Sequence, residues 1–315
     1  MNSILNNDSK IYIAGHKGMV GSACWRALKS KGYNNLIGFS SKELDLIDQK
    51  EVFDLLKREK PDAIIDAAAR VGGILANSTY PYEFLMDNML IQNNLIKAAH
   101  ELDIQKFIFL GSSCIYPKMA PQPLKEEYLL TGPLEETNQW YAIAKISGVK
   151  LIEALRVQYN RDYVSLMPTN LYGPGDNYDL ETSHVLPAMI RKFHEAKENN
   201  HSDVVLLGTG TPKREFLHVD DLASAIVFAV ENKMEESLYN VGSGSEISIK
   251  DLAHLIQNII GHRGDIIWDK SKPDGTPRKL LDSSKFSILY WSSKTSLKKG
   301  VEEIYLNNFL NLKHN

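Results

Sequence analysis

A strand-like apolar run, KIYIAG (Lys10 to Gly15), leads directly into Gly15-His16-Lys17-Gly18-Met19-Val20-Gly21 and then into a segment of helical composition. This strand, glycine turn and helix in succession constrain the fold more than any other stretch of the chain. Glycines at the first, fourth and seventh positions let the backbone turn sharply and approach a bound group closely, while the free amides of a helix N-terminus attract negative charge. A GxxGxxG run alone is common in ordinary turns, but at this junction it predicts a site for the diphosphate of a dinucleotide.

The rest of the first half has the rhythm that such a turn requires. NLIGF (Asn35 to Phe39), DAIIDAAA (Asp62 to Ala69), KFIFLGSS (Lys106 to Ser113) and DYVSLMPTN (Asp162 to Asn170) read as buried strands separated by helical stretches. In one of those stretches Leu90, Ile91, Asn94, Leu95 and Ala98 recur at the spacing that lays one helix face on a sheet. The expected architecture is therefore α/β: a doubly wound parallel sheet with a smaller α/β substrate-binding domain. After Asn170 the segment LYGPGDNYD crowds glycines and a proline into a loop, which places a domain transition there. The expected division is a dinucleotide-binding domain over 1–170, with a returning segment at about 215–240, and a mainly substrate-binding part over 171–315. Within the second part a helix is expected from about Ser183 to Lys197, a strand at DVVLLG (Asp203 to Gly208), a loop at TGTPKR, and helices at VDDLASAIVFAVEN and ISIKDLAHLIQNIIG. The last of these is expected to start at or be capped by Asp251 and to stop at Gly261.

Composition excludes some function classes. The 315 residues carry a formal charge of −3, with 43% hydrophobic and 24% charged residues, so nothing global draws the chain to nucleic acid or an acidic membrane. Two cysteines, Cys24 and Cys114, make no disulfide framework and no CxxC metal or redox pair. The first ten residues lack a secretory apolar core, and the run Ala223 to Val230 is far short of the ~20 residues of a membrane span, so a cytoplasmic protein with no membrane partner and no bound metal is expected.

Cofactor choice is read from the end of the second strand, where an NAD-selective site often carries a carboxylate for the ribose 2′-hydroxyl. Here the sequence is Phe39-Ser40-Ser41-Lys42, with no carboxylate at that point. Lys17 and Lys42 could neutralise a 2′-phosphate and the serine hydroxyls could donate to it, which favours NADP over NAD.

Two further constellations carry chemistry. In NQWYAIAKISG, Tyr141 and Lys145 lie four apart on one helix face. A cation one turn away is expected to stabilise a phenolate and so make Tyr141 a usable acid near neutral pH, whereas the same spacing on an arbitrary helix is just a solvated face. Ser112 follows the fourth strand, at the carboxyl edge where ligands bind in such sheets, and could donate a hydrogen bond to a substrate carbonyl.

The glycine turn, Ser112 and the Tyr141/Lys145 pair, in this order, resemble the extended short-chain dehydrogenase/reductase family. Within it AGHKGMVGSA, AAARVGGILAN, FLGSSCIYPK, EETNQWYAIAKISG, MPTNLYGPGDNY, SHVLPA, TPKREFLHVDD and SKPDGTPRKLLD resemble the GDP-L-fucose synthase group over nearly the whole chain. The resemblance implies a GDP-sugar substrate, NADP as cofactor, homodimers, and a two-part reaction: epimerisation at C3 and C5 of a GDP-4-keto-6-deoxy sugar, then reduction at C4. It implies cofactor contacts from Gly15, Lys17, Gly18, Met19, Val20, Gly21, Ser41, Lys42, Leu110, Gly111, Ser113, Lys145, Pro168, Asn170, Leu171 and His184. Cys114 and His184 match the base and acid of epimerisation, Tyr141, Lys145 and Ser112 the reducing triad, and Lys192, Leu207, Arg214 and Asp274 match substrate positions. A thiol and an imidazole both exchange protons near neutral pH without a large shift.

Where some relatives carry arginine this chain has Lys192, and where some carry tryptophan it has Leu207; Ser41 stands where a relative can offer arginine to the 2′-phosphate. A C4-reductase without epimerase activity, acting on a related sugar such as a heptose, therefore stays open beside the epimerase-reductase. A 4,6-dehydratase would need a carboxylate pair where this chain has Cys114 and Ile115. A non-catalytic dinucleotide sensor would be expected to have lost Tyr141 or Lys145.

Overall fold

The computed structural model describes residues 5–272 and 274–310. In chain order the elements are β1 (Ile11–Ala14), α1 (Met19–Ser30), β2 (Leu36–Ile37), α2 (Gln49–Glu59), β3 (Ala63–Asp66), α3 (Ile74–Thr79), α4 (Pro81–Glu101), β4 (Lys106–Leu110), α5 (Gln139–Tyr159), β5 (Asp162–Pro168), β6 (Asn170–Tyr172), α6 (Val185–Glu198), β7 (Asp203–Leu207), β8 (Lys213–His218), α7 (Val219–Glu231), β9 (Leu238–Val241), β10 (Glu246–Ser248), α8 (Ile249–Ile260), β11 (Asp265–Asp269), β12 (Arg278–Lys279), α9 (Ser284–Ser287) and α10 (Leu297–Tyr305).

Six strands form a parallel sheet in the order β2-β1-β3-β4-β5-β9. Every residue of β1, β3 and β4 is buried, as expected of strands covered on both faces. On one face Ile13, Ile65, Ile108 and Val164 pack with Ala23 and Leu28 of α1 and Ile226 of α7. On the other Tyr12, Ile64, Phe107 and Phe109 pack with Leu56 of α2, Leu95 of α4 and Val149 of α5. Each such fully buried Ile or Phe contributes ~1.5–3 kcal/mol against the entropy of ordering the chain. The strand order reverses between β1 and β3, which opens a crevice beyond their carboxyl ends.

A second sheet is built around β8, with β10 antiparallel and β12 and β6 parallel to it, and β7 pairs with β11 separately. A third core, including Phe193 of α6, Leu206 of β7, Ile256 of α8 and Ile304 of α10, lies here. The chain then crosses back: α7 lies against α1, β9 closes the edge of the parallel sheet, and Phe286 of α9 packs with Tyr239 and Trp291.

Several local expectations change. The second strand shortens to Leu36–Ile37, and the next residue, Gly38, makes room for the His16 ring of the glycine turn: a Cβ there would lie 2.4 Å from His16 Cγ. The run through Asn170 breaks at Thr169, whose N–H donates to Val241 O and whose hydroxyl donates to Glu215 O, so the last residues leave as β6 for the other sheet. The α8 helix is capped by Ser248, not Asp251: Ser248 Oγ accepts from the Asp251 N–H at 3.0 Å, the short serine side chain being at the N-cap position. Gly261 ends that helix in the left-handed region, φ +78°. The expected TGTPKR loop ends early, since Lys213 and Arg214 belong to β8, where partners on both sides hold them extended.

Candidate active site

The glycine turn forms a cradle. Gly15 has φ +74°, and a side chain there would meet Ala67 O at 2.8 Å; a Cβ on Gly21 would lie 2.2 Å from Gly15 O. Only glycine lets these backbones meet. Gly18 is the N-cap of α1 and makes no side-chain cap, and the first turn holds no acidic residue, so the orphan amides of Met19, Val20 and Gly21 and the positive helix end face outward. These residues fit a dinucleotide diphosphate. Gly111 is packed tightly: a Cβ there would meet Met167 at 2.0 Å, which keeps the strand end beside Leu110 thin.

At the second strand's end Phe39 to Lys42 carry no carboxylate, but the next residue brings one back to Ser40. Glu43 folds back, and its Oε2 accepts from the Ser40 N–H at 2.7 Å and the Ser40 hydroxyl at 2.5 Å. Those hydrogen bonds, with Lys17 and His16 nearby, hold the Glu43 carboxyl below its ordinary value. The carboxylate comes from three residues beyond Ser40, carried back by the turn rather than by the strand. Lys17, Ser41 and Lys42 are exposed around it.

The candidate acid/base groups converge at the carboxyl end of β4 and the start of α5. Ser112 caps a short 3-10 turn over Ser113–Ile115, its Oγ 3.4 Å from the Cys114 N–H. Lys145 is 2% exposed; its Nζ donates to Leu110 O at 2.9 Å and lies 4.8 Å from the Phe109 ring centre and 5.8 Å from that of Tyr141. Tyr141 packs edge-on against Phe84 of α4. Burial, then the Cys114 and Asp66 charges, push its phenol well above the ordinary tyrosine range. This corrects the expectation of a phenolate eased by Lys145: the ammonium lies beside the ring and spends a hydrogen bond on Leu110 O, and desolvation dominates at the hydroxyl. Tyr141 is thereby kept protonated.

Burial pushes the Cys114 thiol up, opposed by Lys279, a Ser112 hydrogen bond and Lys145. His184 is the N-cap residue of α6 and its imidazole makes no capping bond. Desolvation and Lys279 lower its pKa, so the neutral ring prevails. The expectation that neither group needs a large shift is thus incomplete, because both feel the charge of the half-buried Lys279. The segment before His184 is fastened to the crevice by the Gly73 N–H, which donates to Thr182 O.

Lys279 was not singled out by motif, although its two-cation stretch RK after a Gly-Thr-Pro turn is a usable signal. With Cys114, Ser113, Lys118 and Glu135 it lines a solvent-open cleft. Across the β8/β12 register it stands opposite Arg214. Arg214 Nη1 donates to Lys213 O, and its charge is felt by Asp274. Both Asp274 oxygens are engaged by Thr209, through its N–H and its hydroxyl, each at 2.7 Å. Lys192 Nζ donates to Val205 O of β7, the strand that ends in Leu207, which is 58% exposed. Of the remaining candidates, Pro168 ends β5, Leu171 lies in β6, and Asn170 Nδ2 donates to Glu215 O.

The profile of the NAD dependent epimerase/dehydratase family matches residues 11–242. The chain belongs to that family. It is 54% identical to "Putative GDP-L-fucose synthase 2" of Arabidopsis thaliana over 96% of this chain and 92% of the relative. It is 50% identical to the GDP-L-fucose synthase of Escherichia coli strain K12, with 94% and 95% covered. Among solved structures it superposes with TM-score 0.87 on a GDP-mannoheptose C4 reductase from Campylobacter jejuni with NADP bound, at 36% identity, with 96% and 98% covered. Among the described residues no helix is long and apolar enough to cross a membrane.

Proposed function

We infer that the chain is a GDP-L-fucose synthase: it epimerises GDP-4-keto-6-deoxy-D-mannose at C3 and C5 and reduces it at C4, with NADPH as reductant. The observation that carries this is identity of 50–54% to synthases over nearly the full length, against 36% to the heptose reductase, in a chain that keeps both Cys114 and His184.

Gly15, Gly18, Gly21 and the first turn of α1 would hold the diphosphate of the cofactor, and Lys145 its nicotinamide ribose. NADPH, when bound, supplies the hydride that reduces C4. The 4-keto group acidifies the protons on C3 and C5, so Cys114 as thiolate removes a proton from one face and becomes the thiol, while His184 in its imidazolium form, the minor form at neutral pH, gives one to the other face. Ser112 donates a hydrogen bond to the C4 oxygen, and Tyr141 gives its proton to the alkoxide formed there, which is more basic than a phenolate. Arg214 and Lys279 bind the GDP diphosphate, while Asp274 positions the Thr209 loop, and Lys192 and Leu207 border the sugar nucleotide.

We also propose a cytoplasmic homodimer formed through α4 and α5. These helices pack side by side and leave Tyr82, Met86, Trp140 and Ile143 exposed. The domain division at about residue 170, with the return through α7 and β9, belongs to the same reading.

The test is to incubate protein, NADPH and the 4-keto sugar in D2O and read the product by NMR. Deuterium at C3 and C5 with loss of nicotinamide absorbance is expected. Reduction with neither position labelled would leave a C4-reductase and remove the epimerase assignment.

A further inference from the structure

The last residue of β3, Asp66, is a carboxylate within an otherwise apolar strand, and none of the steps above uses it. It is 0% exposed. Side chains alternate along a strand, so Asp66 points to the same sheet face as Ile64, the face covered by α2, α4 and α5. Its Oδ1 accepts from the Ala68 N–H at 3.2 Å, and its Oδ2 has no hydrogen-bond partner among the described residues. A buried charge without a partner is costly and persists only where something compensates it.

The compensating group is given by register. Asp66 pairs directly with Phe109 of β4, and the Lys145 ammonium lies over that same Phe109 ring at 4.8 Å. Lys145 has three N–H donors and spends one on Leu110 O. We propose that Asp66 is the internal counter-ion of Lys145, a positioning residue whose carboxylate keeps the ammonium charged and in place beneath Tyr141. The proposal rests on the roles given above to Tyr141 and Lys145.

The other titratable groups facing this pair are Tyr12 from β1, Tyr141 from α5 and Cys114 from the turn after β4. Burial pushes the Asp66 carboxyl up to about 6, with Lys145 pulling it down, so it is ionised at neutral pH. Burial pushes Lys145 down, and Asp66 then Cys114 push it back. Removal of the Asp66 charge therefore lowers the pH at which Lys145 loses its proton, and the alkaline limb of the reduction moves to lower pH.

The experiment has two arms. In the first, kcat for NADPH oxidation with the 4-keto sugar is followed against pH for wild type, Asp66→Asn and Asp66→Leu. Both variants are expected to move the alkaline limb down by about one pH unit and to lower Tm at pH 7, since each leaves the Lys145 ammonium buried without its counter-ion. A limb left in place in both variants overturns the proposal. The second arm measures Tm without cofactor or sugar for Lys145→Met, Asp66→Asn and the double variant. Lys145→Met is expected to lower Tm by stranding Asp66, and adding Asp66→Asn to restore most of the loss; single losses that simply add overturn the pairing. Because this arm needs no turnover, failure of the enzymatic reading, seen as an inactive wild type, is distinguishable from failure of the counter-ion.

Discussion

Lys279 of β12 and Arg214 of β8 are direct register partners in adjacent parallel strands, so the two cations lie side by side on one face of that sheet. Each is pushed below its ordinary pKa, first by burial, and Lys279 also by Arg214. Such a pair repels itself until an anion lies between, which is what a sugar nucleotide's diphosphate supplies. Replacing either by methionine is expected to raise KM for the GDP-sugar by ~10–100-fold, the scale of a lost charge-assisted hydrogen bond, with KM for NADPH unchanged. Steady-state kinetics in both substrates checks this, and an equal rise in the two KM values would remove the diphosphate assignment.

The same lysine sets the pH range of the thiol. Cys114 must be a thiolate to accept a proton, burial holds its pKa up, and Lys279 is the largest group pulling it down. Exchange at C3 and C5 should therefore increase as pH rises, and Lys279→Met should move that rise to higher pH. Deuterium exchange into saturating 4-keto sugar without NADPH measures it directly. A profile that stays put in the variant would separate Lys279 from the thiol.

Tyr141→Phe keeps the ring that packs on Phe84 but removes the proton donor. NADPH oxidation is expected to fall ~10²–10⁴-fold, the usual weight of general acid catalysis, with cofactor affinity by fluorescence titration preserved and exchange at C3 and C5 continuing. Undiminished oxidation would end its role as acid.

Glu43 occupies the Ser40 N–H and hydroxyl that a 2′-phosphate could otherwise use. Glu43→Gln should tighten NADPH binding and leave NADH almost unaffected, because a charge facing the phosphate is removed while the turn-forming acceptor remains. Competitive binding of the two cofactors gives the ratio. A ratio equal to wild type would place Glu43 outside cofactor choice.

Much of this architecture is written in short-range patterns. The apolar runs that became β1, β3 and β4, the glycine turn at the mouth of α1, and the tyrosine and lysine one turn apart on α5 each depend on a few neighbouring residues, whose periodicity and steric needs hold in almost any tertiary context. Failures cluster where a distant partner decides. The His16 ring takes the space beside Gly38 where a side chain would lie, and Arg214, expected in a loop, is extended because β8 finds partners on both sides.

The sequence by itself determined a doubly wound sheet, a dinucleotide turn and the residue types of the chemistry, since backbone sterics and side-chain spacing are local properties. Only the tertiary structure decided that Lys279 faces Arg214, that Glu43 folds onto Ser40, and that Asp66 shares Phe109 with Lys145. Strand register and burial bring these groups together, and their charges acquire strength because packing removes the water that would screen them.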